Sequence, residues 1–553
     1  MKPIRRITSL LMALALMLAL SVSVFAAAGA HTITIHSKTS GHTYQAYQVF
    51  AGTYDDTSKK LSNITWGDGV NGDALLTALK ADTTVGTKFT ECTTAADVAQ
   101  AMSGASAEVT DAFAAVVAKN LSGTVSGTSA LTNGTAYDYV ISALADGYYF
   151  VSEDTTTGAA SFTKYMLQVV GDVTVNAKTD VPAVTKKVQE NNAAGYANTW
   201  NDAADYSIGD SVPFRLVGLV PDMSNYKTYT YQFNDTLSNS LTLDASTVKV
   251  YYATGTSMLA VNSNTAVGAG GTQIDSKSYT LSSGAQSLTV AFSNLKTVTD
   301  VKAGGYIVVE YSATLNTGAA IGNPGNPNDV TLTYSNNPNN SGSGTPDTGT
   351  TPKDEVVVFT FNLPVNKVIK GTTTSLSGAT FALFTDKTAA DTAASATSPD
   401  FSAALKFTGA DGVYTYDKSG TATGSTYELA ADASAKYALK GLDQGTYYLV
   451  EITAPAGYNK LTTAQKVAVI PTYNTTAYVD GHAAGTNDQL TAVQVSLNGG
   501  TAADAATIEN ASGSTLPSTG GIGTKIFTYG GITLMLAAAV VFIAKRKTSG
   551  QEK

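Results

Sequence analysis

The chain has one cysteine, Cys92, among 553 residues. It can form no internal disulfide, so if it works outside the cell its robustness must come from elsewhere. Charge is also scarce. Asp, Glu, Lys and Arg supply 14% of the residues, and the net charge is −9. That acidic balance argues against nucleic acid or anionic lipid as a partner. The four histidines, His36 and His42 among them, show no metal-ligand spacing, and the glycines form no phosphate loop. No metal and no cofactor are expected, and no residue set points to an enzyme.

What the chain does have is Gly, Thr, Ser, Ala and Tyr in short alternating runs. Thr32-Ile33-Thr34-Ile35, Val248 to Tyr252, Tyr306 to Tyr311 and Glu355 to Phe361 are examples. Each is rich in β-branched or aromatic residues, with turn formers nearby in most cases, which predicts antiparallel strands. The fold class is mainly β, as tandem immunoglobulin-like sandwiches. One region departs from this. Between Asp73 and Asn120 the apolar residues fall at helical spacing: Leu75, Leu76 and Leu79; Val98, Ala99 and Met102; Phe113, Val116 and Val117. Thr94 and Asp97 have the spacing of an N-cap and its partner. Helices are therefore expected as insertions in the first domain.

The two ends differ from the middle. Lys2, Arg5 and Arg6 precede an apolar run from Ile7 to Phe25 and then Ala26-Ala27-Ala28-Gly29-Ala30. Basic, apolar and small in that order is the pattern of a secretory signal peptide, residues 1–30. Near the other end, residues 526–544 are apolar, long enough to span a bilayer as a helix, and followed by Lys545-Arg546-Lys547. The rest of the chain is then outside. Removing the basic residues of both ends leaves the exported part more acidic still.

Breaks near Thr179 to Pro182, and a Pro-, Gly- and Asn-rich stretch from Asn336 to Lys353, divide the rest. The expected domains are 31–180, 181–345 and 354–512, with 346–353 as a linker and 513–553 as a terminal signal.

That terminal signal contains Leu516-Pro517-Ser518-Thr519-Gly520 just before the apolar segment and basic tail. The three parts together resemble the cell-wall sorting signal of Gram-positive bacteria. The resemblance implies that a sortase cysteine attacks the Thr519 carbonyl, Gly520 leaves, and an amine resolves the thioester. The implied place is the bacterial surface, covalently attached to the cell wall.

The segment Tyr447 to Tyr458, YYLVEITAPAGY, matches the pattern Y-x-L-x-E-x-x-A-P-x-G-Y, the E-box of pilins. Residues 354–512 thus resemble a Cna-B-type domain. Such domains carry a lysine on the first strand and an asparagine on the last, here Lys367 and Asn510, with Glu451 as the promoting carboxyl. A lysine buried in an apolar core is pushed toward the neutral, nucleophilic amine, and a buried carboxyl toward its acid. Attack on the asparagine expels ammonia and leaves an isopeptide bond.

The middle domain resembles the same family through Phe233-Asn234-Asp235-Thr236-Leu237-Ser238, which implies Asp235 in the carboxyl role. Alternation along Val184, Lys186 and Val188 turns Lys186 inward and Lys187 outward. Two asparagines could close this bond. Asn328 is in phase with Val330, Leu332 and Tyr334; Asn336 is the alternative.

The first domain resembles pilin N-terminal domains through Gly41 to Gly52 and Asp146 to Val151. It ends in Val173 to Thr179, where known backbone pilins have V-Y-P-K. The valine and lysine match, whereas Asn176 and Ala177 replace Tyr and Pro. The implied polymerising amine is Lys178, with Lys186 and Lys187 close by. A third internal bond, Lys38 to Asn176 with Glu153, is permitted by residue type but has no motif behind it. The family reading is a structural backbone pilin. Its implied partners are a sortase, identical subunits, minor pilins and peptidoglycan. The alternative is a minor pilin or wall-anchored adhesin monomer gripping host or matrix ligands.

Overall fold

The computed structural model describes residues 31–38, 40–133, 137–154, 161, 163, 165–177, 180–192, 200–254, 271–340, 345–474, 490–513 and 522–548. The signal segment 1–30, Lys178 and Leu516 to Gly520 lie outside them.

The first domain pairs two sheets. One runs in the order 130–133, 138–144, 31–36, 173–176; the other in the order 60–66, 44–55, 147–153, 166–170. The first strand lies parallel to the last, with Ile33 level with Val173. Ile33, Ile35, Tyr44, Ala46, Ile141 and Val151 fill the space between sheets. The inserted helices are Gly72–Ala81, Gly86–Phe89, Ala95–Met102 and Ala107–Ala118. Their apolar sides, led by Leu79, Val98, Phe113 and Val117, pack on Val49, Phe50 and Phe150 of the second sheet. Thr94 and Asp97 form a reciprocal capping box, each side chain accepting the other's backbone N–H. Cys92 is buried beside these helices.

The middle domain is a sandwich of larger sheets. Strands 184–189, 211–219, 306–315 and 241–253 form the centre of one; strands 354–359, 326–335, 231–237 and 287–292 form the centre of the other. Phe214, Leu216, Tyr231, Phe233, Val290, Val309 and Leu332 make the core between them.

Here the expected boundary moves. Strand Asp354–Phe359 pairs with 326–335, Val356 level with Asn328, so it completes the middle sandwich and does not open the third domain. The cause is its composition. Val356 and Val358 face the middle core, while Val357 and Phe359 turn to the third core, so all four apolar residues of the run are buried on one side or the other. The stretch expected as a linker is also built in: Thr348–Thr350 pairs with the end of 326–335.

The third domain begins at strand Phe361–Ile369. Its sheets run 407–410, 413–416, 436–442, 361–369, 506–510 and 429–430, 380–384, 445–453, 465–473, 490–497. A helix, Lys387–Ser395, covers the outer face of the second of these sheets, against Ala382, Phe384 and Val450; it was not expected from the sequence. Its buried residues are Ala390, Ala393 and Ala394, too small to give a strong helical signature. Only Thr360 separates the middle domain's final strand from the third domain's first. Helix Ile522–Thr548 follows, with Phe527–Arg546 long and apolar enough to cross a membrane, at mean hydropathy 2.0.

Candidate crosslinking sites

Lys186 sits at the centre of strand 184–189, level with Leu216, and its side chain is fully buried. Its Nζ is ion-paired with Asp235 Oδ2 and lies 3.0 Å from the Tyr311 hydroxyl. Tyr311 comes from the neighbouring strand but one in the same sheet, while Asp235 and Asn328 come from the facing sheet. Tyr311 donates to Asp235 Oδ1 at 2.9 Å and accepts from Asn328 Nδ2 at 2.8 Å. The four polar groups thus form one closed cluster between two apolar sheets. Burial pushes the Lys186 ammonium down toward the amine and the Asp235 carboxyl up toward the acid, each held back in part by the other's charge. The Asn328 Oδ1 is buried with no hydrogen-bond donor.

Asn328 is therefore the asparagine in reach. Asn336 lies six residues beyond Val330, which is level with Asp235. At about 3.4 Å per residue that is roughly 20 Å along the strand.

Lys187 was expected to face solvent. It is instead buried, paired with Asp202 at 2.6 Å. Strand 200–201 pairs with its strand at the sheet edge, which brings Asp202 to the Lys187 ammonium. Beside it Arg215 stacks on the Trp200 ring and reaches Glu310. Alternation assigned Lys187 to the other face correctly, but that face is covered.

In the third domain Lys367 is level with Ile508 on the parallel last strand, and its buried Nζ donates to the Ile508 carbonyl at 3.3 Å. Asn510 is fully buried and donates through Nδ2 to Glu451 Oε2 at 3.0 Å and to the Asn459 carbonyl at 2.8 Å. Glu451 Oε2 also accepts the Leu461 N–H at 2.7 Å. Burial lowers the Lys367 ammonium to about 8, against the opposing pull of Glu451 and Glu509. Asn510 Oδ1, like Asn328 Oδ1, is buried without a partner.

The first domain has no such cluster among the described residues. Lys38 is exposed and paired with Asp180, Asn176 is exposed, and Glu153 is buried against His42 and the Thr163 N–H. The residue types that would permit a third bond are not brought together.

Tyr311 is the cluster member that sequence reasoning missed. The signal was present: Tyr311 is in phase with core-facing Ile307, Val309 and Ala313, and a phenol on an apolar face needs a hydrogen-bond partner. Among the described residues no group of three or more metal-ligating side chains occurs.

Residues 208–338 match the family model of the Gram-positive pilin backbone subunit 2, Cna-B-like domain. Residues 361–482 match a prealbumin-like fold domain, and residues 508–549 the LPXTG cell wall anchor motif. A comparison with curated protein sequences found no match. A backbone pilin of Streptococcus pyogenes with a modular three-domain structure shares 16% identity at a TM-score of 0.50, over 88% of this chain and 99% of that one. The full-length major pilin SpaD of Corynebacterium diphtheriae shares 15% at 0.45, over 88% and 98%. At such identities the likeness speaks for the fold alone. The matched models define the class: a cell-wall-anchored surface protein built from Cna-type sandwiches. Within that class, residues 208–338 carry the Cna-B-like domain of the Gram-positive pilin backbone subunits.

Proposed function

We propose that this chain is a backbone pilin polymerised by a sortase through Thr519 of one subunit and Lys178 of the next, and that two internal isopeptide bonds, Lys186–Asn328 and Lys367–Asn510, stiffen each subunit. The observation that carries the second part is the burial, in each of two sandwich cores, of a lysine, a carboxyl and an asparagine amide whose oxygen has no donor. Buried charges and unpaired polar groups are costly, and a condensation that consumes the amine and the amide relieves that cost.

In each core the lysine passes a proton to the carboxylate, and neutral Nζ attacks the asparagine Cγ. The Nζ–Cγ bond forms, the Cγ–Nδ2 bond breaks, and Nδ2 leaves as ammonia with a proton returned by the carboxyl. Asp235 serves the middle domain and Glu451 the third. Neither step needs an oxidant, which suits a chain whose lone cysteine is buried.

Between subunits, the sortase thioester at Thr519 releases Gly520, and a lysine amine takes the acyl group. The last subunit is resolved by a peptidoglycan amine instead. Minor pilins are the remaining expected partners.

Intact mass tests the internal bonds. The full chain is expected to weigh two ammonia molecules less than its sequence. A mass equal to the sequence sinks both.

A further inference from the structure

The two clusters solve the same problem with different parts. In the third domain Glu451 touches the Asn510 amide directly, at 3.0 Å. In the middle domain the carboxylate is one methylene shorter. Asp235 meets Lys186 through one oxygen and Tyr311 through the other, and the Asn328 amide meets the Tyr311 hydroxyl. The phenol oxygen stands between the carboxyl and the leaving nitrogen. It is also 3.0 Å from the attacking Nζ. Tyr311 is 2% exposed, with its ring stacked on Phe214 at 5.4 Å, so the hydroxyl is held in place by packing.

We propose that Tyr311 is a catalytic residue of the middle-domain condensation, relaying a proton from Asp235 to the departing nitrogen of Asn328. This rests on the crosslink reading above. Lys186 first gives a proton to Asp235, and its amine adds to Asn328 Cγ. In the tetrahedral adduct Nδ2 is a basic amine. Tyr311 hands its hydroxyl proton to Nδ2 while taking one from Asp235. The added Nζ returns a proton to Asp235, the Cγ–Nδ2 bond breaks, and ammonia leaves. The amide keeps one N–H, ammonia carries three protons, and Asp235 ends as the acid, so the five protons that began on the ammonium and the amide are all placed. Burial drives phenol ionisation well up, which keeps Tyr311 protonated between turns of the relay. Glu451 needs no such bridge because its longer arm reaches Asn510 itself.

The test is Y311F in the full chain, read by intact mass and by peptide mapping of the two crosslinks over time. Positioned proton transfer contributes about 10²-fold or more. Y311F is therefore expected to lose one ammonia, from the third domain, and to convert the middle domain about 10²-fold more slowly than wild type. The third-domain bond is the control inside the same molecule. If Y311F closes the middle bond as fast as wild type, the relay is overturned. If wild type itself never closes that bond, the crosslink reading beneath it fails instead. Packing is separated by comparing K186A with K186A/Y311F, neither of which can crosslink. Equal middle-domain melting in the pair leaves the slowed reaction to the hydroxyl. A collapse of melting in the double variant assigns Tyr311 to packing and overturns the relay.

Discussion

Lys367 and Asn510 lie on neighbouring parallel strands two register positions apart: Lys367 is level with Ile508, and Asn510 with Ile369. The first and last strands of the third domain are thus side by side, and a bond between these two residues closes nearly the whole domain into a loop. In the chain-entropy account a loop of this size contributes about 5 kcal/mol. N510A is expected to lower the third-domain melting transition strongly while leaving the middle domain's transition in place, as scanning calorimetry would resolve.

The same N510A chain leaves Lys367 unreacted, which exposes its titration. Burial depresses this lysine to about 8, below its unfolded value. Between those values the unfolded state binds more protons than the folded one, so stability rises with pH. The third-domain melting temperature of N510A should increase from pH 7 to pH 10. In wild type, where the amine is consumed, that rise should be absent. A flat profile in N510A would mean that Lys367 is not held as described.

The choice between asparagines has a sharp test. N328A should leave the middle domain short of its ammonia loss, whereas N336A should lose it normally, because Asn336 sits far down the strand from Asp235. Peptide mapping with a Lys186–Asn336 link would reverse the assignment.

Much of this was legible in the sequence, and the exceptions share a cause. Lys186, Asp235, Asn328, Lys367, Glu451 and Asn510 could be found because alternation and local motifs fix which face a residue takes. The helices of the first domain could be found because Leu, Val and Phe repeat at helical spacing. Lys187 and the 354–359 strand were misjudged because a face's burial depends on what the rest of the chain lays over it. Nothing near Lys187 announces Asp202 as its partner. Tyr311 was passed over because a tyrosine in a strand has a bland explanation until its partners from the other sheet are seen.

The joint between the middle and third domains contains a pair of buried carboxyls, Asp205 and Asp443. Tyr473, Gln444 and its backbone N–H donate to Asp205, while Asn191 and Asn192 donate to Asp443. Burial and the Asp205 charge, with Glu190 adding to it, push Asp443 well above the usual carboxylate range. A folded-state value raised in this way means stability is lost as pH rises above that range. D443N replaces the acid with a neutral amide of like shape, and it should flatten the decline in melting temperature between pH 5 and 9. A decline equal to that of wild type would show that Asp443 is not held as the acid in the folded chain.

Polymerisation has its own readout. Wall extracts probed for this pilin should give a high-mass ladder that collapses to monomer on Lys178→Ala and is absent on Thr519→Ala. A ladder that survives Lys178→Ala moves the acceptor to another lysine.

Thr360 alone joins the middle sandwich to the third, and the strand before it already lends Val357 and Phe359 to the third core. Asp205 and Ile208 add hydrogen bonds across the same seam, to the Gln444 N–H and the Gly441 carbonyl. The first and middle domains, by contrast, meet where Asn339 bonds both to the Thr163 carbonyl and to the Tyr165 N–H. A fibre of such subunits is a chain of unequal joints. Among the described residues the seam at Asn339 is the lighter, so bending within a subunit is expected to concentrate there, whatever the strength of the covalent links.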